Sequence, residues 1–111
     1  MANKKTFEDE WFGMSNKDFP VYSGVMRYFP LALKEVARVS VAGNKQHNQD
    51  VPFLYWDRKK SNDHADALAR HLLNAGLRDD DGILHSAKVA WRALANLELE
   101  IEQRLNFPED E

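Results

Sequence analysis

Between residues 30 and 106 the apolar positions fall at helical spacing in three stretches, with polar turns between them. The first begins at Pro30, whose missing N–H costs nothing at the first helical position. Leu31, Leu33, Val36, Ala37 and Val41 form its stripe, and Gly43 with Asn44 offers a C-terminal stop. The second predicted helix covers residues 62–75. Ser61 is its N-cap, Asp63 and Asp66 favour the positive end of its dipole, and Leu68, Leu72 and Ala75 keep helical spacing ahead of Gly76. The third covers residues 83–105, where Ile83, Ala87, Ala90, Leu94, Leu97, Ile101 and Leu105 step by three or four. Val89, Trp91, Ala93 and Leu99 lie off that stripe. A helix apolar on more than one face needs more than one neighbour. The pattern therefore predicts an all-α bundle of three main helices, completed by oligomerisation as a homodimer or larger.

The flanks read differently. Residues 1–29 mix charges with Trp11, Phe12, Met14 and later aromatics. They read either as an irregular arm with a short helix that docks by its aromatics, or as a loose terminus. Residues 43–60 are polar and irregular, and Pro52 excludes a long helix there. The expected organisation is an N-terminal arm (1–29), a helical domain (30–106) and an acidic tail (107–111).

Composition narrows the classes. A chain of 111 residues suits one domain, and 43% apolar residues can supply a core. A net charge of −3 argues against a partner made of long nucleic acid. The absence of cysteine removes disulfides, thiolate nucleophiles and cysteine-bound zinc. The first residues are polar, unlike a signal peptide, and no apolar run is long enough to span a membrane. A cytoplasmic protein without a membrane partner is expected.

The densest chemistry is Asp63, His64, Asp66, Arg70 and His71. Helical geometry puts Asp63, Asp66 and Arg70 on one side. His64 and His71 share a neighbouring stripe with Leu68 and look inward or toward a partner helix. Asp79, Asp80 and Asp81 follow in a turn, and His85 opens the third helix. Carboxylates at i and i+3 can hold a hard cation such as Mg²⁺, and histidine can orient a ligand or move a proton. Each residue also has a plainer use. Asp66 and Arg70 make an i,i+4 pair, Asp63 serves the dipole, and a histidine on an apolar stripe is often a hydrogen-bonded core residue. Glu35 can complete a metal site from a facing helix or pair with Arg38. Trp56, Arg58 and Lys60 can stack a base and hold phosphates, whereas Phe53 and Leu54 read as anchors for their loop. The chain has no P-loop, no GxGxxG, no HExxH and no adjacent His-Asp pair.

The stretches WDRKKSNDHADALARHLLNAG and DDDGILHSAKVAWRALANLELE resemble small phage-encoded dATP/dGTP diphosphohydrolases. YFPLALKEVARVSVAGNKQHN fits as well, with Pro30, Glu35, Lys45 and Asn48 in matching places, so the resemblance covers residues 28–102. Its most specific positions include Trp56, Asp63, Arg70, His71, Asp79, Asp81, Gly82, His85, Lys88 and Trp91. That family is distantly similar to MazG-type all-α nucleoside triphosphate pyrophosphohydrolases. The similarity implies cleavage between the α and β phosphates, a Mg²⁺ or Mn²⁺ ion held by carboxylates on facing helices, and dimers or tetramers. Here Glu35 is followed by Arg38 where MazG-type enzymes have ExxE, and Asp63 with Asp66 stands in place of ExxD.

The resemblance implies a metal-dependent pyrophosphohydrolase that converts purine deoxynucleoside triphosphates to monophosphates in phage nucleotide metabolism. Glu35, Asp63 and Asp66 are the expected metal ligands. His64, His71 and His85 are the expected catalytic histidines. Lys45, Arg58, Lys60 and Arg70 would neutralise phosphate, Trp56 would stack the base, and Asn48 and Asp81 complete the nucleotide set. The rival expectations are a protein that binds or sequesters nucleotide without turnover, a helical interaction protein, and a phosphohydrolase that releases inorganic triphosphate or phosphate.

Overall fold

The computed structural model describes residues 5–47 and 53–106, and Asn48 and the acidic tail lie outside them. Among the described residues the structure is helical, with only an isolated antiparallel bridge between Arg78 and Leu84. Among the described residues no helix is long and apolar enough to cross a membrane.

A short helix, α1 (Phe7–Gly13), opens the arm. The Thr6 hydroxyl accepts from the Asp9 N–H, and the Asp9 carboxylate accepts from the Thr6 N–H, a reciprocal cap that satisfies two end donors. Trp11 then packs between Phe7 and Phe19, with ring centroids 5.6 and 4.8 Å away. A 3₁₀ turn (Asn16–Asp18) and a π-helical turn (Tyr22–Met26) lead into the main helices. Arg104 near the far end of the chain reaches back to Glu8 at 3.4 Å and lies over the Phe7 ring. The arm therefore makes both aromatic and ionic contacts.

The first long helix, α2 (Pro30–His47), starts at the expected proline but runs through Gly43 and Asn44. Gly43 stays in helical conformation because Asn44 does not cap the helix. Its side-chain oxygen instead accepts from the Tyr55 N–H at 3.1 Å, which ties the following segment to the helix.

The helix α3 (His64–Leu72) is shorter than the sequence suggests. Asp63, not Ser61, occupies the cap position, and its side chain makes no cap hydrogen bond. Arginines claim that carboxylate instead, Arg70 at 3.2 Å and Arg92 at 3.8 Å. After Leu72 the chain turns, and Gly76 takes φ +92°, in the left-handed region that Cβ-bearing residues avoid.

The segment between Gly76 and His85 folds back on itself. Asp79 N–H donates to the Ile83 carbonyl at 2.8 Å, His85 N–H donates to the Leu77 carbonyl at 2.9 Å, and Gly82 takes φ +84°. This narrow turn delivers the chain into α4 (His85–Asn106) beside α3.

The buried apolar residues are few and mostly small: Ala67 of α3, Ile83 of the turn, and Ala87 and Ala95 of α4. Small side chains let α3 and α4 approach closely, and α2 packs on α4. Several predicted stripe positions stay open. Leu94 and Leu97 are each 51% exposed, and Leu72 is 55% exposed. Within one chain the apolar stripe is only partly covered, since α4 meets neighbours on only part of its circumference.

Candidate functional site

The site is built where α2, α4 and the segment before α3 meet. Trp91 of α4 points at α2, and its indole N–H donates to the Ser40 hydroxyl at 2.9 Å. Trp56 meets the edge of Trp91, with ring centroids 5.6 Å apart and an interplanar angle of 75°. His64 completes an aromatic group, 6.3 Å from Trp56 and 6.1 Å from Trp91. Between these elements lies a cleft of about 450 Å³. That volume falls in the usual range for small-molecule sites. Ser40, Asn44 and Gly43 of α2 border it, with Tyr55, Trp56 and Lys60 of the joining segment, His64 and His71 of α3, and Asp81, Lys88, Trp91 and Arg92.

His64 is 5% exposed, and its burial lowers its pKa, with the nearby Arg92 charge adding to the effect. Arg92 lies 2.9 Å from His64 Nδ1. Arginine can only donate, so Nδ1 accepts and the proton of the neutral ring sits on Nε2. That buried Nε2 has no hydrogen-bond partner among the described residues. His64 thus fixes the guanidinium at the cleft, with Asp63 on its other side.

Lys88 has two carboxylates within reach, with Asp79 and Asp81 oxygens each at 2.7 Å. Burial alone would lower the Lys88 pKa, but these two bonds outweigh it and raise the value. In return, the Lys88 bond and then the Asp80 N–H bring Asp79 down to about 2. Asp81 is likewise lowered, chiefly by Lys88. Beside this clamp, His71 Nδ1 lies 2.9 Å from His85 Nδ1. Burial, followed by the Lys88 and His85 charges, lowers the His71 pKa and favours the neutral ring.

The expected site residues separate into groups. Trp56, Lys60, His64, His71 and Asp81 border the cleft, and His85 joins them through His71. Arg58, Asp63 and Asp66 border a shallower hollow on the other side of His64. Arg58 does not offer a free charge to phosphate. It grips Glu102 through two nitrogens at 2.9 Å and covers one face of Trp56 at 4.4 Å, leaving a base only the other face. Arg70 is turned to Asp63, and neither Arg70 nor Lys45 borders the cleft. Lys60 does, and it makes no ion pair among the described residues.

The expected metal ligands are not brought together in one chain. The Glu35 carboxylate bonds Arg38 at 2.7 Å, Asp63 is held by Arg70, and Asp66 is exposed on the hollow. Arginines hold Glu35 and Asp63, Asp66 stands alone, and the three do not converge on one point among the described residues. Among the described residues, the group whose ligand atoms do converge is His71, Asp79 and His85, all within 4.8 Å of one another.

The sequence reading did not assign Ser40, Asn44, Lys88, Trp91 or Arg92 to the site, and it left Asp79 as a turn residue. A signal existed for Lys88 and Trp91. Both fall on the α4 face one or two turns beyond His85, facing the acidic turn and α2.

An indole wall beside Lys60 and the Arg92 guanidinium suits a planar ring joined to a negatively charged group. Fold and cleft together define a small all-α domain with a cleft of small-molecule size among the described residues. The chain belongs to the family described as dATP/dGTP diphosphohydrolase, N-terminal, which residues 15–107 match. The match includes the later part of the arm as well as all the main helices. The family's name describes hydrolases of deoxynucleoside triphosphates. No curated protein and no solved structure matches the chain.

Proposed function

We propose that this chain hydrolyses purine deoxynucleoside triphosphates, converting dATP or dGTP to the monophosphate and pyrophosphate. The observation that carries the reading is the cleft, where Trp56 and Trp91 stand beside Lys60 and Arg92 in a chain of this family. The base lies against the indoles, and Lys60 and Arg92 meet the phosphate oxygens. Arg92 is the better-positioned cation, because His64 and Asp63 hold its fork in place. In the reaction a water oxygen bonds the α-phosphorus while the bond from the α-phosphorus to the bridging oxygen breaks. Pyrophosphate leaves with that electron pair, and the proton of the water passes to solvent or buffer. A divalent cation, Mg²⁺ or Mn²⁺, is expected as the companion of the triphosphate. The cleavage position, like the kinship to MazG-type enzymes and a role in phage nucleotide metabolism in the host cytoplasm, belongs to this proposal.

Self-association is part of the same reading. Leu72, Leu73 and Leu77 form a run at the end of α3 that is 55%, 86% and 61% exposed, next to a core of mostly small residues. A second copy would cover such a surface.

The direct test incubates the purified chain with each of the four deoxynucleoside triphosphates and Mg²⁺ or Mn²⁺, and identifies the products by ³¹P NMR. Monophosphate and pyrophosphate from dATP or dGTP are expected. Release of orthophosphate or inorganic triphosphate would contradict the proposed cleavage, and binding without product would favour a sequestering protein.

A further inference from the structure

We propose that His71, Asp79 and His85 form a binding site for one nitrogen-preferring divalent transition ion, of the Zn²⁺ or Co²⁺ class, in the turn that joins α3 to α4. The site touches the edge of the cleft through His71 and stands on its own geometry.

The three side chains come from separate places: the last turn of α3, the tip of the narrow turn, and the first residue of α4. Their ligand atoms lie within 4.8 Å of one another. The two imidazole Nδ1 atoms are 2.9 Å apart. Two nitrogens bound to one tetrahedral ion at about 2.0–2.1 Å stand roughly 3.3 Å apart. The histidine pair therefore needs only a few tenths of an ångström of movement to share an ion. The Asp79 carboxylate stands beside them, with its Oδ1 3.9 Å from His85 Nε2.

The surroundings match what a metal site requires beyond its ligands. Lys88 fixes one Asp79 oxygen at 2.7 Å and the Asp80 N–H holds the other at 2.7 Å, so the carboxylate is oriented before any ion arrives. Asp79, Asp81 and Lys88 together carry one net negative charge, which a dication reverses without burying an unopposed positive cluster. The His85 side chain is 14% exposed and that of Asp79 27%, which leaves room for an ion to enter and for water or a phosphate oxygen to complete its coordination. Two imidazoles and one carboxylate suit Zn²⁺ or Co²⁺. Mg²⁺ demands oxygen ligands and retains its waters, so this donor set discriminates against it.

The test uses the whole chain after chelator treatment, with no nucleotide present. Titration with Co²⁺, followed by its visible ligand-field absorption, and competition with Zn²⁺ read the site directly. One equivalent per chain is expected, with Mg²⁺ failing to displace it at a hundredfold excess, on the order expected for this ligand preference. His71→Gln and Asp79→Asn should each weaken Co²⁺ binding by roughly tenfold or more. Glu35→Gln and Asp66→Asn should leave it unchanged. Far-UV circular dichroism accompanies each variant, and Asp79→Asn keeps the assay decisive if a histidine variant does not fold. No saturable Co²⁺ spectrum in the parent chain would overturn the proposal, as would binding that survives both ligand substitutions or is lost in Glu35→Gln. Nucleotide turnover is read separately, so failure of this site leaves the proposed hydrolysis to stand or fall by its own assay.

Discussion

His71 and His85 stand fourteen residues apart in the chain, on different helices, yet their Nδ1 atoms are 2.9 Å from each other. The contact exists because Gly76 and Gly82 both adopt positive φ and fold the intervening residues into a narrow turn. The same turn presents Asp79 and Asp81 to Lys88, one face away on α4. Backbone geometry at glycine, more than any side-chain affinity, assembles this end of the cleft.

Alanine at Gly76 or Gly82 should therefore cost stability. A Cβ at either position meets no atom within 4 Å, so the cost is backbone strain alone. It should be about 1–2 kcal/mol at each site, read as a lowered urea midpoint at unchanged m-value. Parent-like midpoints in both variants would show that the left-handed turn is not what holds His85 beside His71.

Lys88→Met removes the cation shared by two aspartates. We expect a loss of about 1–3 kcal/mol, since both carboxylates lose a close donor. A sharper readout is the Asp79 titration followed by carboxyl NMR in chelator-treated protein. It should move from about 2 in the parent toward the ordinary value of 3.8 in the variant. An unmoved midpoint would assign the depression to the Asp80 N–H and not to Lys88.

The buried His64 gives a pH dependence with a defined sign. Its pKa lies below the ordinary 6.5, first through burial and then through Arg92, while Asp63 acts in the opposite direction. Between the two values the unfolded chain binds more protons than the folded one. Stability is complete above pH 6.5 and declines as pH falls below it, by up to about 1.4 kcal/mol per unit of separation. Denaturation midpoints between neutral and mildly acidic pH should fall in the parent chain and fall less in His64→Phe. Equal slopes in the two proteins would remove His64 as the cause.

The exposed leucines at the end of α3 predict an oligomer. Light scattering should give a mass of at least two chains, and a Leu72→Glu, Leu73→Glu double variant should shift it toward one. Loss of two apolar anchors on each side is expected to weaken association by roughly a hundredfold or more. A parent chain that stays monomeric at high concentration would show that the leucines serve something else.

Much of the fold was legible along the chain. Helical stripes announced an all-α structure, and Pro30 marked the start of α2. Boundaries failed where a polar side chain had a tertiary partner stronger than its local one. Asn44 bonds Tyr55 instead of ending α2, and Asp63 bonds arginines instead of capping α3. The site was legible in part for the same reason. Trp56, Lys60, His64 and His71 lie at the cleft, but its far wall depends on contacts such as Trp91 to Ser40, 51 positions apart. Spacing on one helix suggested that Asp63 and Asp66 hold a metal. It carried no information about Arg38, Arg70 and Arg92, whose positions decide which carboxylates are already engaged.

The central proposal is that a purine nucleotide occupies the cleft that Trp56 and Trp91 both line. The chain has three tryptophans, and Trp11 sits in the arm against Phe7 and Phe19. Indole N–H resonances therefore supply two reporters and an internal control. On titration with a non-hydrolysable dATP analogue, the Trp56 and Trp91 indole signals should shift in a saturable way while Trp11 stays in place. Lys60→Ala should weaken that saturation without abolishing the shifts. Stationary Trp56 and Trp91 signals at millimolar analogue, or shifts confined to Trp11, would contradict the account.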